Sequence, residues 1–204
     1  MRSWLAQSPF PSVLMTGVLL GSTLVVTRFS LGQLDTQTYV ALRLGGGTLL
    51  FLIGYLVFRL RPWPRDPGLW LRAGIYGLIG TALTMTGFTQ SLRYQSSGVT
   101  SLLTTLSPVE TALLAHFFLK GERLTRQRLA GGLIAFAGAG LLLLRGESGL
   151  ADLAQADWRG YAWALVGVTS NSAGLVYARR WLNNEDPYAV TSIRILTGAL
   201  VIGL

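Results

Sequence analysis

Long apolar stretches alternate with short charged clusters along the whole chain. Ser3 to Thr27, Ala73 to Leu92 and Gly160 to Ala178 each run 19 to 25 residues without a charge. A helix of about 20 apolar residues crosses the hydrocarbon core of a bilayer. Divided at the charge clusters, the pattern predicts seven helical spans, at about 8–28, 38–58, 70–91, 96–118, 129–144, 160–178 and 188–204. The fifth is the shortest. Arg128 and Arg145 leave 16 uncharged residues between them, about 24 Å of helix against a core of about 30 Å. It either crosses with snorkelling ends or lies buried without spanning.

Composition agrees with this pattern. Half of the 204 residues are hydrophobic and 13% are charged, against roughly 25% in a soluble domain. So few polar residues cannot cover a water-soluble sphere of this size. The expected fold class is all-α, a polytopic membrane helix bundle. A net charge of +8 and a pI near 10.6 would suggest nucleic acid in a soluble domain. Here the basic residues sit between spans, so nucleic acid is excluded as a partner. No cysteine and one histidine, His116, argue against disulfides, thiolate chemistry and a multi-histidine metal site. No metal and no cofactor are expected.

The basic residues set an orientation. With the amino terminus in the cytoplasm, the inner segments carry Arg2, Arg59, Arg61, Arg65, Arg72, Lys120, Arg123, Arg126, Arg128, Arg179 and Arg180. The outer segments carry Arg28, Arg93, Arg145 and Arg159. An 11 to 4 split is a positive-inside signature and requires the fifth segment to cross. Connections are short, so neighbouring spans run antiparallel. Small residues stripe their faces, as with Gly77, Gly80, Thr84, Gly87 and Ser91 in the third. Such stripes let membrane helices approach closely; hinges for a moving gate are the alternative.

Shifted by 151 residues, the chain matches itself. Residues 17–53 lie over 168–204 without a gap and share eight identities, among them Arg28/Arg179, Asp35/Asp186, Arg43/Arg194 and Gly47/Gly198, where chance gives roughly three. One repeat therefore holds five spans, an odd number, so the second copy enters the membrane inverted. Inverted repeats are a signature of secondary transporters, with the solute site near the midplane between the halves. The expected domains are a first five-span repeat at 1–146 and the start of a second, inverted repeat at 147–204. A second repeat as long as the first would give ten spans in roughly 300 residues. The chain accordingly reads as a fragment cut inside its seventh span.

The run from Leu102 through Pro108 and Glu110 to His116, the turn Gly121-Glu122-Arg123-Leu124-Thr125, and the glycine-rich run from Gln127 through Gly131 to Gly138 resemble the fourth and fifth spans of EamA-domain proteins. These belong to the drug/metabolite transporter superfamily. Gly21 to Arg28 is similar to that family's first span, and Ala41-Leu42-Arg43 to the start of its second. The resemblance covers essentially the whole chain. It implies ten spans in two inverted repeats and export or uptake of small organic solutes such as amino acids. Two positions depart from the family pattern: Leu20, where many relatives have tryptophan, and Glu110, where an apolar or aromatic residue is commoner.

Polar residues inside spans are the candidates for chemistry. In the fourth span Ser97, Thr100, Ser101, Thr104, Ser107, Pro108 and Thr111 share about 120° of arc. Pro108 lacks an amide hydrogen, so the Thr104 carbonyl loses its helical partner and the helix is expected to break there. In lipid such a carbonyl must face protein or water. The stripe therefore lines a cavity, or else bonds back to its own helix. Glu110 flanks it and is a candidate proton carrier or cation partner; a protonated or arginine-paired packing group is the alternative. Arg43 and Arg194 lie about 10 Å inside their spans, placed to bind a solute carboxylate or to snorkel. Asn171, between Ser170 and Ser172, is the polar group to watch in the sixth span.

The expected function is transport of a small organic solute, an amino acid or related metabolite, by efflux through alternating access around a midplane cavity. The expected site comprises Glu110, Thr104, Ser107, Thr111, Arg43 and Asn171, with Pro108 as the helix break. The expected partners are the solute and the lipid bilayer, with a homodimer as the alternative to a monomer. The expected location is a bacterial inner membrane. A membrane-embedded lipid-modifying enzyme needs at least two intramembrane acids, and only Glu110 qualifies. A truncated fragment that inserts but carries nothing is the third reading.

Overall fold

The computed structural model describes residues 10–30, 32–59, 61–119, 121–122, 125–144 and 157–203. The predicted boundary between the repeats, at residues 146 and 147, lies outside them. Among the described residues all regular structure is helical, and helices stand at each of the seven predicted places. They are α1 (Phe10–Ser30), α2 (Thr36–Leu56), α3 (Pro67–Gly77), a π-helical turn (Leu78–Leu83), α4 (Thr84–Tyr94), α5 (Ser97–Thr104), α6 (Ser107–Phe118), α7 (Arg126–Leu144), α8 (Trp158–Trp181) and α9 (Pro187–Gly203). By length and hydropathy together, α2 is the one described helix that meets the requirement for crossing a membrane; α9 is apolar but only 17 residues long.

Local chemistry explains most helix starts. The Asp35 carboxylate accepts the amides of Gln37 at 2.8 Å and Thr38 at 3.3 Å, and so caps α2. Asp66 does the same for Gly68 and Leu69, with Pro67 in the first turn of α3. Asp157 caps α8 through the Arg159 amide. Such side chains satisfy amides that have no partner within the helix. The loop before α3 closes on aromatics: Trp63 packs edge-on against Tyr55, and the Trp70 indole donates to the Pro64 carbonyl at 3.0 Å.

Two expectations about regularity, in the third and fifth segments, are corrected, and the break expected at Pro108 in the fourth is found just before it. The third segment contains the π turn, where α3 and α4 cross two other helices at glycines; the Thr84 hydroxyl donates to the Ile79 carbonyl there. The fourth segment is two helices. Thr105 and Leu106 donate to Leu102 and Leu103 at 3.0 and 3.1 Å, tight three-residue turns that join α5 to α6 just before Pro108. The fifth segment is not a 16-residue helix. It begins at Arg126 and runs 19 residues, about 28 Å, because its first turn takes in the basic residues that charge spacing assigned to the loop.

The bundle is apolar outside and small or hydroxylated within. Leu14, Met15, Val18 and Phe29 on α1, Leu50 on α2 and Ile134 on α7 are more than half exposed. Ser91, Thr100 and Ser172 are completely buried. A conventional apolar core of Leu69, Ala73, Tyr76, Leu182, Ala189, Val190 and Ile193 occupies one end. The long helix α8 runs against α4, the π turn and α6, while α9 packs on α2 and α3. The small-residue stripe makes these crossings. A Cβ added at Gly87 would stand 2.6 Å from the Gly167 nitrogen, and one at Gly174 would stand 2.6 Å from the Gly80 Cα. One at Gly77 would stand 2.6 Å from the Arg194 carbonyl oxygen. Backbone meets backbone where only glycine leaves room.

Candidate functional site

Behind the break at Pro108, α6 and α7 face α8. Between them lies an open cavity of about 650 Å³ whose lining includes Ser107, Pro108, Thr111, Gln127, Gly131 and Asn171. Four of the residues singled out in the sequence thus meet in one place, although 60 residues separate Thr111 from Asn171. This part of the lining is neutral and hydrogen-bonding: two hydroxyls and two amides, each able to donate and accept. Toward the ends of α6 and α8 the lining becomes charged. There the Arg179 guanidinium donates to Glu122 at 3.2 Å.

Glu110 lies beside this cavity and not in its lining. It is half-buried and turns toward α8, where the Ser172 hydroxyl stands 3.5 Å from Oε2 and 3.3 Å from the Ser107 carbonyl oxygen. Glu110 forms no ion pair among the described residues. The arginine-paired alternative therefore finds no partner there.

The remaining candidates lie elsewhere. The Thr104 hydroxyl donates back to the Ser101 carbonyl at 2.6 Å. Thr100 is enclosed with Ser91 and Gln95. The hydroxyl stripe accordingly splits at the helix break: its α5 half holds the helix packing together, and its α6 half faces the cavity. Arg43 lines a separate groove of about 600 Å³ between α1 and α2, with Ser22, Thr23 and Tyr39, and has no hydrogen bond or ion pair among the described residues. Arg194 lies over the Tyr76 ring at 5.1 Å and donates to its hydroxyl at 3.0 Å. His116 is exposed and bonds the Glu122 carbonyl, as an interfacial histidine would.

Sequence reasoning passed over Tyr76 and set Ser172 behind its neighbour Asn171. A tyrosine beside a glycine stripe, in a chain with mid-helix arginines, was the available signal for the first. For Ser172 there was none, because only the approach of α8 to α6 distinguishes it from Ser170.

Among the described residues the chain is all-helical, with an apolar exterior and a polar cavity along a helix seam. The model of the EamA-like transporter family matches residues 10–144, and the chain belongs to that family. It is similar to a WAT1-related chloroplastic protein of Arabidopsis thaliana, 29% identical over 157 residues that cover 74% of this chain and 36% of that protein. An uncharacterized transporter of Archaeoglobus fulgidus is 23% identical over 202 residues, 98% of this chain and 66% of its own length. The uncharacterized transporter YyaM of Bacillus subtilis is 25% identical over 197 residues, 90% and 59% respectively. The chain thus spans 36% to 66% of the length of these relatives. No solved structure matches.

Proposed function

We propose that the protein is a carrier of small organic solutes, working by alternating access around the cavity between α6, α7 and α8, with Glu110 as its proton-coupling residue. The observation that carries this reading is the convergence of Ser107, Thr111 and Asn171 on one cavity at a broken helix. Neutral donors and acceptors, with a Glu122–Arg179 pair farther along the lining, suit a zwitterionic solute such as an amino acid or a related metabolite, moved outward. The seven helical segments are the spans, the amino terminus is cytoplasmic, and the membrane is a bacterial inner membrane. The two repeats, 1–146 and 147–204, are inverted. Supporting this, Asp35 and Asp186, 151 residues apart, each accept the amide two residues on at the start of a helix.

A carboxylate within a span costs about 3 kcal/mol on insertion scales when it is charged and unpaired. Such an acid is a functional candidate, as proton carrier or cation partner. Glu110→Gln keeps size and hydrogen bonding but removes titration. In proteoliposomes the variant should lose proton-driven flux and its pH dependence while solute exchange survives. Wild-type flux and pH profile in the variant would make Glu110 a packing residue. Lipid turnover without flux would favour an enzyme over a carrier.

A further inference from the structure

We infer that Ser172 is a positioning residue that transmits the protonation state of Glu110 across the contact between α6 and α8. The inference rests on the reading of Glu110 as an acid that takes up and releases a proton. Ser172 is completely buried, and its hydroxyl faces two oxygens of α6: the Ser107 carbonyl at 3.3 Å and Glu110 Oε2 at 3.5 Å. A serine has one proton to donate and two lone pairs with which to accept. It cannot donate fully to both oxygens.

The state of Glu110 decides the outcome. An ionised carboxylate only accepts, and a charged acceptor makes the stronger bond, so the Ser172 proton turns to Oε2 and leaves the Ser107 carbonyl. A protonated carboxyl donates its O–H to the Ser172 Oγ, which frees the Ser172 proton for the Ser107 carbonyl. The one covalent change is the O–H bond of the Glu110 carboxyl. Its proton comes from cavity water or solute and returns there.

The place where this bond forms or vanishes gives it leverage. Ser107 opens α6 directly after the break, where two tight turns join α6 to α5. A hydrogen bond gained or lost there ties the start of α6 to α8 or releases it. The described charged and titratable groups on the packed elements are engaged or face outward. Arg179 pairs with Glu122, Arg180 donates to the Phe118 carbonyl, His116 bonds the Glu122 carbonyl, and Arg126 is exposed. Tyr177, on α8, packs against the apolar core at one end of the bundle. None of them forms an ion pair or hydrogen bond with Glu110, so Ser172 is its side-chain partner among the described residues.

Infrared difference spectra between acidic and neutral pH, taken on the chain in lipid vesicles, read this directly. The carboxyl band abolished by Glu110→Gln belongs to protonated Glu110. In Ser172→Ala that band should shift to the higher frequency of a carboxyl without a hydrogen-bonded acceptor. Ser172→Thr should return it, and Ser172→Cys, nearly isosteric and a weaker partner, should leave it between the two. The cysteine variant supplies the comparison if the alanine variant does not insert. An unmoved band in Ser172→Ala or Ser172→Cys overturns the role of Ser172 while Glu110 remains a proton carrier. No Glu110 band in the wild-type chain removes the proton-carrier reading, and this inference with it.

Discussion

Gly47 of α2 packs on Ile195 of α9: a Cβ added at Gly47 would stand 3.3 Å from the Ile195 Cγ2. The contact recurs with the roles exchanged. A Cβ at Gly198 would stand 3.2 Å from the Leu44 Cδ1, and both 44 to 195 and 47 to 198 are steps of 151. Residue i touching j while j's counterpart touches i's counterpart is the mark of a two-fold relation between like surfaces. It supports the proposal that the two halves are inverted copies meeting across α2 and α9. Arg43 and Arg194, each one residue earlier, flank this contact with different surroundings: the first lines the α1–α2 groove and the second lies over Tyr76.

The glycine crossings give a stability prediction with an internal control. Gly87→Ala places a methyl group against the Gly167 backbone, which cannot move aside as a side chain would. It should cost about 1–3 kcal/mol, as overpacking does. Gly131→Ala meets nothing within 4 Å and should be neutral or stabilising by up to about 1 kcal/mol through helix propensity. Thermal unfolding in detergent separates the two. Equal effects would return the stripe to the hinge reading.

Orientation is testable because the chain has no cysteine. A cysteine at Ser148, a position outside the described residues, should react with an impermeant thiol reagent from the outer side. One at Gln127, in the first turn of α7, should not. The reverse pattern would overturn the orientation drawn from the 11 to 4 split of basic residues.

Asp35 supplies a pH dependence outside the proposed membrane-spanning segments. The Gln37 amide, followed by the Thr38 hydroxyl and amide, holds its carboxyl below the ordinary carboxylate range. A carboxylate that is harder to protonate in the folded state contributes stability that is complete above the unfolded value, near 4. The contribution is lost as pH falls through the folded value. Asp35→Asn can still cap α2 but does not titrate. The gap in melting temperature between wild type and Asp35→Asn should therefore be constant well above the unfolded value and close as pH falls through the lowered folded value. A gap that is flat over the whole range would mean that the cap does not depend on charge.

Much of this protein is legible along the chain. Helices at the seven predicted places follow from charge spacing, because charge clusters and apolar runs are local and additive. The break before Pro108 follows from a missing amide hydrogen, and the caps at Asp35, Asp66 and Asp157 from short-range geometry. Other features were not legible. The π turn at Leu78–Leu83 arises where glycines let α3 and α4 press against α8 and α9. The early start of α7 at Arg126 runs against the charge pattern.

Site geometry was decided by packing alone. Thr104 and Ser107 share one face of an ideal helix, yet the first bonds its own turn and the second meets the cavity, with the tight three-residue turns of the break between them. Arg43 and Arg194 hold the same place in the repeat pattern, but among the described residues only Arg194 bonds a tyrosine hydroxyl. The linear order of residues determines which groups an element carries and where it can bend. Which of them meet depends on the approach of α8 to α6 and of α9 to α2, and contacts between residues 60 to 150 positions apart leave no local periodicity to read.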